Sequence, residues 1–68
     1  MTLHEAIRDV LRAAGKPMTP REIADEVNRR NLYERGDAQP IGPGQVSARA
    51  RRYEHLFDRD AKRIALAR

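Results

Sequence analysis

The sequence predicts a mainly α-helical domain of three helices closed by a small β-hairpin, and three observations carry that expectation. Thr2 with Glu5, and again Thr19 with Glu22, stand in the S/T-x-x-E spacing that satisfies backbone donors at a helix start. Each pair is followed by apolar residues recurring at intervals of three and four. The C-terminal stretch instead holds two short apolar segments, Leu56-Phe57 and Ile64-Ala65-Leu66, with Asp58-Arg59-Asp60-Ala61-Lys62-Arg63 between them. Two brief strands joined by a charged loop suit that pattern better than a fourth helix.

The first helix starts at Thr2. Leu3, Ala6, Ile7, Val10, Leu11 and Ala14 form one apolar stripe, while Arg8, Asp9 and Arg12 fall on the other face. Gly15 follows as a left-handed C-cap. Lys16-Pro17-Met18 must run extended, because a residue before proline avoids helical angles, and it is available as a third strand. Thr19 caps the second helix, Pro20 suits its first position, and the helix runs to about Arg30 or Asn31. Ile23, Ala24 and Val27 are its buried stripe, with Leu32 a contact just beyond its end. Residues 33–42 read as loop, with a turn signal at Gly36-Asp37 and breakers at Pro40 and Gly42. Pro43 then opens a third helix over about 43–54, on which Val46, Ala50 and Tyr53 share a face at i, i+4 and i+7. Helix, short extended piece, helix, helix and hairpin is the element order of a winged helix-turn-helix, here one domain over residues 1–68.

At 68 residues the chain supports one modest core. The absence of cysteine excludes disulfides, thiolate metal sites and thiol nucleophiles together. No apolar run approaches the roughly 18 residues of a membrane span, and the polar Met1-Thr2-Leu3-His4-Glu5 start does not read as a signal peptide. The expectation is a cytoplasmic protein, nucleoid-associated if bacterial.

Charge is unevenly placed. Residues 1–40 carry seven basic and seven acidic side chains, whereas residues 41–68 carry seven basic against three acidic, so the whole net charge of +4 lies in the last part of the chain. That asymmetry points to a polyanionic partner. Catalysis finds no support. His4 and His55 are far apart in sequence and read as surface residues, and capping accounts for Glu5 and Glu22. Asp25 and Glu26 are adjacent on a helix and point apart, and Asp58 and Asp60 alone do not define a calcium loop. Neither a Gly-rich phosphate loop nor a nucleophile elbow is present. The chain is expected not to be an enzyme, with no cofactor, metal or small-molecule substrate.

Over essentially its whole length the sequence resembles the HARE-type helix-turn-helix family. The resemblance is carried by Leu3-xxx-Ile7-xx-Val10-Leu11, then Gly15-Lys16-Pro17-Met18-Thr19-Pro20-Arg21-Glu22-Ile23, Asn31-Leu32-Tyr33, Gln45-Val46-Ser47-Ala48-Arg49, and Leu56-Phe57 leading into a short hairpin. It implies a winged-helix fold found with restriction endonucleases, in the delta subunit of bacterial RNA polymerase and in additional-sex-combs-like chromatin proteins. It also implies DNA binding, sometimes with recognition of modified bases. One departure is the connection from the second to the third helix, about ten residues and far longer than the three or four of a tight helix-turn-helix.

If Val46, Ala50 and Tyr53 face the core, then at about 100° per residue Gln45, Ala48, Arg51, Arg52 and His55 project outward, flanked by Ser47 and Arg49. Arg reads guanine bidentately and Gln reads adenine. Gly42-Pro43-Gly44 leaves helix-start N–H groups for a phosphate, and Arg59, Lys62 and Arg63 on the wing reach adjacent backbone. The candidate DNA-binding residues are therefore Gly44, Gln45, Ser47, Ala48, Arg49, Arg51, Arg52, Arg59, Lys62 and Arg63, on double-stranded DNA. A protein partner, or a further domain docking on the first two helices, is the alternative, with Arg8, Asp9, Arg12, Asp25, Glu26, Arg29 and Arg30 as a polar rim. In a restriction or transcription-related protein such a domain would be the reader.

Overall fold

The computed structural model describes residues 2–33, 40–60 and 62–67. Three helices, α1 (Leu3–Ala14), α2 (Pro20–Arg30) and α3 (Pro43–Arg52), precede an antiparallel pair, β1 (Phe57–Asp60) and β2 (Arg63–Leu66). The fold is the mainly helical winged helix-turn-helix expected from the sequence.

Both capping boxes form. Glu5 N–H donates to the Thr2 hydroxyl at 3.3 Å while Thr2 N–H donates to Glu5 Oε1 at 2.8 Å. Thr19 and Glu22 repeat the exchange at 3.2 and 2.9 Å. Gly15 closes α1 with φ +68°, and Asn31 closes α2 with φ +52°, so each helix ends on a residue that tolerates the left-handed region.

These caps carry an acid dependence. Backbone and hydroxyl hydrogen bonds from Thr2 hold the Glu5 carboxyl below its usual 4.5, and those from Thr19 do the same for Glu22. A carboxylate depressed in the folded state contributes stability that is full above its unfolded pKa and is lost as pH falls through the folded one. The melting temperature should therefore fall from about pH 4.5 downward. Replacing both glutamates by glutamine should flatten that limb, measured by circular dichroism. Part of it should survive through Glu26, whose carboxyl is lowered chiefly by the Arg29 hydrogen bond.

The core is a single cluster. Leu3, Ala6, Ile7, Val10 and Leu11 of α1 meet Ile23, Ala24 and Val27 of α2, Val46 and Ala50 of α3, and Met18, Ile41, Phe57 and Ile64 from the connections and hairpin. Leu32 packs against it from beyond α2, as expected. Ala14, assigned to the α1 stripe, is exposed, one turn past the last core contact.

The hairpin differs from its expected form. Asp58, Arg59, Asp60 and Arg63, read as loop, pair within the strands, Asp58 with Ala65 and Asp60 with Arg63. Alternate side chains of a two-stranded wing face solvent, so charged residues fit the ladder. Leu56 lies in the preceding turn, though its C=O still accepts from Ala67 N–H at 2.9 Å. Met18 supplies the third strand as a single antiparallel bridge to Ile64, with N–H to C=O distances of 2.9 and 2.7 Å.

Helix α3 stops at Arg52 rather than 54. Tyr53 leaves helical angles (φ −111°, ψ 49°), and Leu56 N–H then closes a turn on Tyr53 C=O at 2.9 Å. Tyr53 is only half-buried and stacks on His4, ring centroids 4.0 Å apart. His4 is accordingly half-buried rather than a surface residue. His55 lies in the turn after α3, not on its outward face, 6.1 Å from Tyr53.

Candidate nucleic-acid interface

Orientation of α3 comes from its buried side. Val46 and Ala50 are fully buried, so the opposite face, centred between Gly44 and Ala48, is turned to solvent. Those two residues lie one turn apart and leave the helix nearly flat along its outermost line. Gly44 has nothing within 4 Å of where a Cβ would stand. Arg51 and Arg52 are exposed on either side of this line.

The start of α3 is fixed by the segment before it. Asn28 of α2 donates its amide to Ile41 C=O at 2.9 Å and accepts from Ile41 N–H at 3.1 Å, pinning the returning chain. Ile41 is itself a core residue at 4 % exposure, which the loop reading of residues 33–42 did not anticipate. Gly42 then caps α3 without a side chain. In its place Gln45 Oε1 accepts from Gly42 N–H at 2.7 Å. With its oxygen so engaged, Gln45 presents donors alone, and bidentate reading of adenine would require breaking the cap.

Two clefts flank α3. One, about 230 Å³, is lined by Ser47, the wing residues Arg59, Lys62, Arg63 and Ile64, and Pro20 at the start of α2. The other, about 290 Å³, is lined by Gln45, Ala48, Arg49 and Arg52 of α3 with Leu3 and Tyr33. The fold thus gathers Ser47 with the three wing cations, and Gln45 and Ala48 with two further arginines. Gly44 and Arg51 line neither cleft. Glu22 draws some of its lowered carboxyl pKa from Arg63, which partly offsets that cation, whereas Arg59 and Lys62 make no ion pair among the described residues.

Tyr33 and Leu3 in the second cleft were not among the candidates. No local sequence pattern marks them, because they reach α3 only through the packing of α1 and of the end of α2. Gly36-Asp37 in the intervening loop lies outside the described residues. Among those residues no group of three or more His, Asp or Glu side chains comes together as a metal site, and no helix is long and apolar enough to cross a membrane.

A family model described as HARE-HTH, the helix-turn-helix domain of ASXL proteins and restriction endonucleases, matches residues 1–63. No curated protein and no solved structure matches the chain.

Proposed function

Since the chain belongs to the HARE-HTH family, winged-helix domains for which DNA binding is the inferred role, we propose that it is a double-stranded DNA-binding module whose α3 enters the major groove while the wing rests on the backbone. The observation that carries this reading is the cleft joining Ser47 of α3 to Arg59, Lys62 and Arg63 of the wing. Residues distant in sequence converge there into a cationic channel beside a nearly flat helix face. Arg51 and Arg52 are the base-edge candidates, being long, exposed and planar in their hydrogen-bonding groups. In a restriction or transcription-related protein the domain would serve as reader, with any cutting or polymerising centre elsewhere.

Binding of a short duplex should weaken with salt at a log–log slope of about −4 to −5, for some five phosphate contacts. Replacing Arg51 and Arg52 by alanine should weaken binding at least tenfold, roughly 1–3 kcal/mol if one arginine pairs with a guanine, with the melting temperature unchanged. Fluorescence anisotropy at two or more salt concentrations reads both effects. Equal affinity for the double variant would remove α3 from the interface.

A second reading has its own observation. A cleft of about 500 Å³ with apolar walls from Leu11, Pro17 and Leu66, edged by Arg12, Lys16 and Asp58, contains no residue of α3. An apolar protein segment bearing a carboxylate for Arg12 or Lys16 would fit there. Partner capture that survives loss of Arg51 and Arg52 would favour it.

A further inference from the structure

On the footing of the DNA reading, we propose that the cleft between Tyr33 and α3 is a phosphate seat for the second DNA strand. The two backbones bordering the groove are then held by different clefts, one on each flank of α3.

The chemistry of the cleft is one-sided. Arg49 and Arg52 lie three residues apart and both line it, so two guanidinium groups with fixed donor forks face the same space. Gln45 gives its oxygen to Gly42 N–H, which leaves its amide donors for a ligand. Tyr33 adds a phenol, and no carboxylate contributes to the lining. Among the described residues neither Arg49 nor Arg52 makes an ion pair. Donors without acceptors, in a cleft walled on one side by Leu3, suit an oxyanion. The cleft edged by Asp58 has no such character.

The geometry matches a duplex. At about 100° per residue, Ser47 in the wing cleft and Arg49 in the Tyr33 cleft lie roughly 200° apart around α3. The two clefts are therefore separated by about one helix diameter, ~10–12 Å, and the major groove is about 12 Å wide. A helix seated in that groove would present one cleft to each bordering strand.

The chain has no cysteine, so a photoactivatable aryl azide can be placed on a chosen residue. A protein carrying Arg52→Cys and Lys62→Cys, both azide-labelled, would be bound at low salt to a short duplex whose strands bear different dyes. Illumination and a denaturing gel should give a protein linked to both strands at once. Separately, replacing Arg49 and Arg52 by alanine should reduce the salt slope by roughly 1.8, two phosphate contacts at about 0.9 each. Links to one strand only, with no bridged product, would overturn the two-strand arrangement while leaving DNA binding intact. Absence of any link from either position would remove the DNA reading and this proposal together. Loss of the Arg52 link in millimolar inorganic phosphate at constant ionic strength would reassign the cleft to the free anion.

Discussion

Replacing Phe57 by alanine should leave the domain without a cooperative unfolding transition at 25 °C. Phe57 opens β1 and is among the largest fully buried side chains, at 2 % exposure. It is the only aromatic ring in the buried cluster among the described residues. Truncating such a side chain costs about 3–5 kcal/mol, transfer and cavity terms together. A domain of this length without disulfide or metal gains only about 3–5 kcal/mol from its core, so the loss is comparable to the whole. Leu56 is half-buried in the turn before, and alanine there should lower the melting temperature by several degrees while keeping a single transition. Urea melts followed by circular dichroism compare the two. A Phe57→Ala melt close to that of Leu56→Ala would mean that the wing is not what completes the core.

Asn28→Ala is expected to cost about 2–4 kcal/mol, large for a half-exposed polar residue. It removes two hydrogen bonds and strands both backbone groups of Ile41, which is buried. An orphaned group costs about 1–3 kcal/mol, and partial access to water keeps the pair below the sum. Asn28→Asp keeps the acceptor for Ile41 N–H but sets an oxygen against Ile41 C=O, so it should recover little. Because Ile41 precedes the cap of α3, the alanine variant should also weaken DNA binding with an unaltered salt slope, since no phosphate contact is removed. Denaturant midpoints and anisotropy titrations at two salt concentrations measure these together. A reduced slope would place Asn28 in the interface rather than behind it.

The helices were legible because their signals are local. Thr2 with Glu5 and Thr19 with Glu22 specify where chains of apolar residues begin, and Gly15 and Asn31 supply the left-handed stops. The wing was legible in kind but not in extent, since Asp58, Arg59 and Asp60 belong to a strand that tertiary pairing lengthens beyond its apolar residues. The end of α3 was misplaced because Tyr53 fits the buried spacing, yet its ring finds His4 rather than the core. The α3 candidates came from periodicity alone, and the structure seats them on two flanks of one helix. What could not be read was anything built by distant partners. Asn28 looks like a polar helix residue until Ile41 is folded beside it, and Tyr33 becomes a wall only once α3 is packed against α1.

The single bridge between Met18 and Ile64 closes most of the chain into one loop. The three helices bury their stripes mainly against near neighbours in sequence, whereas the hairpin must find a strand from the far side of the first turn. Closing so long a loop carries an entropy cost that rises only as the logarithm of its length, so extra residues between α2 and α3 would add little to it. The bridge itself is held by two backbone hydrogen bonds and the burial of Met18, Phe57 and Ile64. The wing therefore docks last in folding and is the first element to part in a native-state fluctuation. A domain made this way can open the arm that carries Arg59 and Lys62 while its helices stay folded, and close it again on whatever it grips.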